Sequence, residues 1–219
     1  MSLLARSLAE LVCDRPGATA IFHRHRLDFC CGGQQSLAEA LAARGLDAEP
    51  IVAELEALPQ GHDNDIDWRQ ADSARLIEHL LTRFHTVHRA QLPELIRLAR
   101  RVEQVHRDRP GCPRGLASQL MLMAEELESH MQKEEQILFP LFQQGELALA
   151  AGPVRVMEAE HEQHGSSLEL ISELTNDITP PEGACVTWRA LYQGLRQLRE
   201  DLMLHIHLEN HLLFPRAQV

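Results

Sequence analysis

Residues 130–140 read HMQKEEQILFP, and residues 205–215 read HIHLENHLLFP. Both stretches fit the pattern H-x-x-x-E-x-x-x-x-F-P, and on an α-helix its histidine and glutamate share one face. A single pair of this kind is most often an ion pair on an exposed helix. An imidazole and a carboxylate presented twice on inward faces is instead the way in which a helix bundle holds two metal ions. The repetition therefore predicts a metal site.

The repeat extends upstream of both stretches. His85-x-x-His88 lies 45 residues before His130, and His161-x-x-His164 lies 44 residues before His205. A duplicated helical hairpin closes into a four-helix bundle with a pseudo-two-fold axis. The predicted ligands are His85, His130, Glu134, His161, His205 and Glu209. The two glutamates are the natural bridges of an ion pair, and each ion keeps positions for an oxo bridge, solvent, dioxygen or nitric oxide.

The predicted fold is all-α, an up-down-up-down four-helix bundle preceded by a small helical domain. Residues 1–58 form the small domain, 59–71 the linker and 72–219 the bundle. In the small domain we expect helices over 3–12, 16–26, 36–45 and 47–58, the third of which opens with a capping box at Ser36. In the bundle we expect helices over 73–106 and 113–143, from Pro153 to Asn176, and from Thr179 to Pro215.

Composition narrows the class of protein and its location. The chain has 219 residues and a formal net charge of −11, so nucleic acid is an unfavourable partner. The sequence contains no run of 18 or more apolar residues, so we predict no membrane span. Glu10 and Asp14 interrupt the apolar stretch that a signal peptide would need near the N-terminus. Five cysteines without a disulfide framework fit a reducing cytoplasm. A homodimer through the small N-terminal domain is compatible with its size.

Several polar residues beside the predicted ligands have open roles. His88 and His164 either complete an iron's ligand shell or lie just outside it, and His207 is most simply a surface or packing residue. Glu126 and Asp201 precede the ligand histidines by one turn and are expected to hydrogen-bond imidazole or to remain solvated. Glu160 is expected to line a polar path to the site. The imidazole-rich set favours iron over manganese, although zinc would also fit in a purified sample.

Adjacent cysteines form the second unusual motif, Cys30-Cys31-Gly32-Gly33. Such a pair forms a strained disulfide, binds a soft metal, accepts sulfur or nitrosyl groups, or merely fills a tight turn. We predict that Cys30 and Cys31 serve a redox function or contact a partner. Cys13, Cys112 and Cys185 are expected to be structural.

Four segments resemble one known family, the bacterial di-iron proteins that repair iron–sulfur clusters (repair of iron centres). They are LDFCCGG at 27–33, residues 84–95, residues 125–140 and residues 208–217. The resemblance covers essentially the whole chain. It implies a haemerythrin-like bundle with two non-haem iron ions on the six residues nominated above. It also implies an acidic access channel at Glu126 and Glu160, whereas no family role transfers to His164 or His207.

The resemblance further implies a cytoplasmic stress protein that restores clusters damaged by nitric oxide or oxidants. Damaged iron–sulfur proteins would then be its partners, and nitric oxide or dioxygen its small ligands. Three functions stay open: iron donation to damaged clusters, enzymatic reduction of nitric oxide, and a haemerythrin-like sensor or store. The first is favoured, because a simple store needs no second domain.

Overall fold

The computed structural model describes residues 2–61 and 66–217. It divides into two compact units, one comprising residues 1–76 and 203–219, the other residues 77–202. Residues 62–65 of the predicted linker lie outside the described residues. Within the described ranges no strand forms beyond an isolated bridge between Ser7 and Ser36, which confirms the all-α prediction. None of the described helices combines the length and apolarity that crossing a membrane requires.

Four short helices form the N-terminal part of the first unit. They are α1 (Leu8–Asp14), α2 (Ala18–Arg24), α3 (Leu37–Arg44) and α4 (Ala48–Glu56), preceded by a 3₁₀ turn at Leu3–Ala5. The expected helix from residue 3 is wrong, because Ser7 is extended and forms a capping box with Glu10 that starts α1. The capping box at Ser36 and the left-handed Gly45 that ends α3 are confirmed.

The second unit contains the bundle. Its first helix consists of α5 (Ser73–His79), of which residues 77–79 belong to this unit, a π-helical segment Leu80–His85 and α6 (Thr86–Val105). Its second consists of α7 (Leu116–Lys133), a π-helical segment Glu134–Leu138 and α8 (Phe139–Gln144). The third is α9 (Leu147–Leu174), and the fourth is α10 (Val186–Leu208) as far as residue 202.

Apolar side chains on one face of each helix form the core of the bundle, among them Leu92, Leu95, Leu120, Leu127, Leu168, Ile171, Leu191 and Leu198. The first and fourth helices approach closely at Gly194, where an added Cβ would lie 2.6 Å from Cδ2 of Leu95. The Gly194 carbonyl also accepts a hydrogen bond from Gln91.

Proline positions misled the prediction of two helix starts. Pro153 lies inside α9, which begins at Leu147, since one proline removes a single hydrogen bond without ending a helix that is packed along its length. The fourth helix begins at Val186 instead of near Thr179. Asn176, Asp177 and Ile178 all have positive φ, so the chain reverses there before the helix can start.

Three π-helical segments occur among the described residues, and none of them was predicted from the sequence. In each, a backbone N–H donates to the carbonyl five residues earlier: Thr86 to Leu81, Phe139 to Glu134, and Phe214 to Glu209. The third segment, Glu209–Leu213, belongs to the first unit, with a 3₁₀ turn at Phe214–Ala217 after it. Pro140 and Pro215 follow the second and third segments, and a proline has no N–H to restore the α-helical bond. Turns of this kind occur most often at functional sites.

Candidate metal centre

Three histidines and one glutamate come together in the core of the second unit. Nε2 of His85 lies 3.4 Å from Glu134 Oε2, and Nε2 of His130 lies 3.3 Å from Glu134 Oε1. Nε2 of His161 lies 3.1 Å from Nε2 of His130. Glu134 is 0% exposed and the three imidazoles are at most 1% exposed. A carboxylate and three imidazole nitrogens therefore converge where water does not reach.

The chemistry of this donor set fits a metal ion. A carboxylate in an apolar interior is costly unless a positive charge compensates it. Donor atoms that share one first-row ion at about 2.0–2.2 Å lie about 3.0–3.4 Å from each other, which is the range of the three separations above. Imidazole with carboxylate is also the set that non-haem iron prefers.

Two carboxylates orient these imidazoles from outside the cluster. Glu135 Oε1 lies 2.8 Å from His85 Nδ1 and also accepts from Arg89 at 2.7 Å. Glu160 Oε2 lies 3.0 Å from His130 Nδ1. A carboxylate that accepts the Nδ1 proton fixes the tautomer and directs the Nε2 lone pair at the ion. The sequence reading missed Glu135, although its position directly after Glu134 was a usable signal.

The charges of these two outer carboxylates are stabilised locally. Burial opposes ionisation of Glu135, yet hydrogen bonds from Arg89 and His85 lower its pKa below the usual value. Burial likewise opposes ionisation of Glu160, and its bonds with Lys133 and His130 lower its pKa. Both side chains are therefore acceptors for the imidazole N–H.

The second copy of the repeat belongs to the first unit and has the same local geometry. Nε2 of His205 lies 3.3 Å from Glu209 Oε1, with the two side chains 1% and 0% exposed. As in the first copy, the glutamate is the first residue of a π-helical segment. The i,i+4 spacing thus places both predicted pairs as expected.

A pocket within the second unit is lined in part by Glu160 and His164, both of which contact the His130 ring. It has a volume of about 310 Å³, and its lining includes Glu126, Lys133, Glu160 and His164. Lys133 forms an ion pair with Glu160 at its wall. The pocket brings together both residues predicted to line a path, Glu126 and Glu160. It is Glu160 that contacts the His130 imidazole.

The remaining predicted neighbours have defined positions. His88 and His164 are buried, and the His164 ring stands edge-on to that of His130 with centroids 5.0 Å apart. Asp201 accepts hydrogen bonds from Arg83 at 2.6 Å and from Gln197 at 2.9 Å. Asp201 thus acts as a buried acceptor between two helices of the bundle.

The Cys-Cys-Gly-Gly motif forms a compact loop in the first unit. Oδ1 of Asp28 accepts from the backbone N–H groups of Cys30 and Cys31 at 3.1 and 3.0 Å, and Oδ2 accepts from Gly32 at 2.9 Å. A Cβ on Gly33 would lie 2.3 Å from the Phe29 carbonyl oxygen, so only glycine fits there. Among the described residues, which include all five cysteines, no disulfide forms.

The C-terminal helix of the first unit holds this loop from one side. Nδ2 of Asn210 donates to the Cys30 carbonyl at 3.0 Å, and Nε2 of Gln34 lies 3.2 Å from His211 Nδ1. His207 is 1% exposed and lies 3.4 Å from the Phe29 carbonyl. Burial and the neighbouring His211 lower the pKa of His207 to about 3, so it is a neutral packing residue.

Comparison with known proteins agrees with this geometry. The family model described as Hemerythrin HHE cation binding domain matches residues 76–217, and ScdA_N, a domain of unknown function, matches residues 4–59. The chain is 52% identical over 212 residues to an iron–sulfur cluster repair protein YtfE of Dickeya chrysanthemi, covering 97% of this chain and 96% of the relative.

Proteins of the same name from Yersinia pseudotuberculosis and Yersinia pestis are 51% identical over 212 residues, with the same coverage. The matches extend through the N-terminal helices, the cysteine loop and the whole of the bundle. The chain therefore belongs to the hemerythrin family of di-iron proteins and, within it, to the YtfE type of iron–sulfur cluster repair proteins.

Proposed function

We propose that the chain repairs damaged iron–sulfur clusters by donating iron from a non-haem di-iron centre. The observation that carries this proposal is the buried cluster of imidazoles around Glu134, two of which are oriented by carboxylates. The names of the YtfE relatives supply the repair function. The iron is then the cargo of the protein, and the surrounding side chains determine how firmly it is held.

The proposed ligands are the six residues predicted from the repeat: His85, His130, Glu134, His161, His205 and Glu209. Support comes from the burial of all six and from the identical His–Glu separations in the two copies. The hemerythrin match spans every one of them. No cysteine belongs to the set, which favours iron over a structural zinc ion.

The pocket beside His130 is the proposed route for iron and small ligands. Its acidic lining, Glu126 and Glu160, attracts a divalent cation. Glu160 is both part of the lining and the acceptor for His130 Nδ1, so an arriving ion meets a residue that already orients a ligand. Lys133 pairs with Glu160 and limits the negative charge of the path.

Cys30 and Cys31 are the proposed contact with the damaged client. Cys31 is only half-buried and Asp28 is exposed, so the loop offers a thiol at the surface. Gly32 leaves the backbone next to it free of a side chain, whereas Gly33 is buried against the Phe29 carbonyl and His211. A thiol beside an unobstructed backbone is suited to approach an exposed cluster on another protein.

Reactivation of a nitric oxide-damaged [4Fe–4S] dehydratase by the iron-loaded protein tests the proposal. The Glu134→Gln/Glu209→Gln variant should bind no iron and restore no activity, because it lacks both proposed bridging charges. A Glu128→Gln variant is the matched control, since Glu128 pairs with Arg89 and accepts from Gln132 at the surface and is not a proposed ligand. Full reactivation by the double variant would refute iron donation.

Reduction of nitric oxide is the second candidate, favoured by the pocket, which admits a diatomic ligand to the vicinity of His130. Nitrous oxide measured over the reduced protein under anaerobic nitric oxide separates the two functions. Several turnovers would make the protein an enzyme, whereas cluster reactivation without nitrous oxide would leave it an iron donor.

A further inference from the structure

Three potential metal donors face one another in the cysteine loop of the first unit. Sγ of Cys30 lies 3.7 Å from Sγ of Cys31 and 3.2 Å from Oδ1 of Asp28. The three donor atoms all lie within 4.8 Å of one another. None of these residues belongs to the six proposed ligands of the bundle.

The separations match the edges of a coordination polyhedron. Two thiolates bound to one tetrahedral ion at about 2.3 Å lie about 3.8 Å apart, and a thiolate and a carboxylate oxygen about 3.5 Å apart. The two observed distances differ from these edges by a few tenths of an ångström, which side-chain rotation can supply. Two of the three edges thus match a shared ion, and the third pair of donor atoms, Cys31 Sγ and an Asp28 oxygen, lies within 4.8 Å.

Backbone contacts build this arrangement before any ion arrives. The Asp28 carboxylate is fixed by three successive N–H groups, and Gly33 allows the close turn behind the cysteines. Asn210 holds the Cys30 carbonyl from the other side. A preformed loop keeps the entropy cost of binding low, because the ligands are already ordered.

The carboxylate distinguishes this loop from a plain dithiol. A vicinal disulfide would use the two sulfurs alone and would not involve the carboxylate. A cation uses all three groups, and it relieves the proximity of Asp28 to two ionisable thiols. The hydrogen bond with Cys31, burial and the charge of Asp28 raise the pKa of the Cys30 thiol. A cysteine that binds the ion does so as the thiolate, so its proton is released to solvent.

We propose that Asp28, Cys30 and Cys31 bind one divalent transition-metal ion of borderline softness, such as ferrous iron, cobalt or zinc. The exposed side of the loop leaves a fourth coordination position for water or for a donor from another protein. This second site is independent of the function proposed for the bundle, since it shares no ligand with it.

Cobalt titration of the reduced, iron-loaded full-length protein under anaerobic conditions tests the proposal. Thiolate-to-cobalt charge-transfer absorption should appear with one ion per chain and vanish in Cys30→Ser and in Cys31→Ser. Asp28→Asn should weaken cobalt binding by at least roughly tenfold. Cys112→Ser and Cys185→Ser are matched controls and should keep the full signal, because both lie in the second unit.

A band absent from the wild-type protein, or one that survives in Cys30→Ser/Cys31→Ser, would overturn the site. Retention of bundle iron and an unchanged circular dichroism spectrum show that each variant is folded. X-ray absorption at the cobalt edge gives a second readout. Two sulfur neighbours at about 2.3 Å support the proposal, whereas an all-nitrogen-and-oxygen shell refutes it.

Discussion

The two copies of the H-x-x-x-E-x-x-x-x-F-P stretch agree in one respect and differ in another. In both, histidine and glutamate lie 3.3 Å apart and the glutamate opens a π-helical segment. The residue after the glutamate differs. Glu135 of the first copy hydrogen-bonds the His85 imidazole, whereas Asn210 of the second donates to the Cys30 carbonyl.

This difference shows how a duplicated motif acquires two tasks. The His–Glu pair and the π turn that follows it are the same in both copies, and both pairs belong to the proposed ligand set. The positions around the pair differ: Glu135 in the first copy orients the His85 imidazole, whereas His207 and His211 in the second contact residues 29 and 34 on either side of the cysteine loop. The second copy therefore supports a loop in addition to presenting two of the proposed ligands.

We expect the largest effect from replacing the histidine of either copy, and we expect the loss of iron affinity to be similar for the two copies. His130→Ala and His205→Ala should each lower iron affinity by roughly a hundredfold or more, since loss of a ligand exceeds loss of a supporting residue. Iron content by plasma mass spectrometry and competition with a chelator measure this. Gln132→Ala, at an exposed position between the ligands of the first copy, is the control. Iron loss from only one copy's variant would show that the copies are not equivalent.

Charge-removing variants of the supporting acids should have the next largest effect. Glu135→Gln and Glu160→Gln keep the shape of each side chain but weaken the bonds to His85 and His130. We expect iron affinity to fall by roughly 10- to 100-fold. Chelator competition gives the value, with Glu128→Gln as the surface control. Wild-type affinity in both variants would mean that the imidazoles are oriented by packing alone.

Asn210→Ala should affect the loop and leave the iron in place. Loss of the hydrogen bond to the Cys30 carbonyl should lower the free energy of unfolding by about 1 kcal/mol and speed alkylation of Cys30 and Cys31 several-fold. Mass spectrometry follows the alkylation, and Cys13, whose pKa burial raises to about 11, is the slow internal reference. Gln104→Ala, on the exposed surface, is the control. Loss of iron from Asn210→Ala without faster alkylation of the cysteines would show that Asn210 supports the metal site and not the cysteine loop.

Arg89→Ala should have the smallest effect. Arg89 pairs with Glu135 and Glu128 on a partly exposed surface, where an ion pair contributes about 1 kcal/mol or less. We expect iron affinity to change by less than roughly threefold, because Glu135 still accepts from His85. Urea unfolding measures the change in the free energy of unfolding, and chelator competition measures the change in iron affinity. A loss of iron affinity as large as that of Glu135→Gln would show that the Arg89 guanidinium is needed to orient the Glu135 carboxylate toward His85.

Spacing along the chain was sufficient to predict the His–Glu pairs of the site. An i,i+4 pair is local, so one helical turn places it whatever the surroundings. The same holds for the Ser36 capping box and for Gly45. The contact between Glu160 and His130 joins two helices, and the role of Glu160 was anticipated only as part of a polar path. Such contacts depend on how helices pack, which a single sequence does not encode locally.

Backbone irregularities were the main failure of the sequence reading. The helix starts predicted at Pro153 and Thr179 are both wrong: Pro153 lies inside a helix that packing holds together, and the positive φ angles of residues 176–178 delay the fourth helix to Val186. The Ser7 capping box was missed because the helix was expected to start earlier. The second and third π-helical segments share one sequence signal, the Phe-Pro that follows each glutamate by five residues, and the first segment lacks it.

Each π turn also shifts the phase of the helix that carries it. On an unbroken α-helix Phe139 would lie about 140° around the axis from Glu134, and the additional residue of the turn reduces this to about 40°. Phe214 stands in the same relation to Glu209, and both rings are buried. One surplus residue per turn thus lets a charged donor and an aromatic anchor face inward together. A helical wheel drawn with a constant 100° per residue does not show this shared face, because the extra residue after each glutamate has to be allowed for.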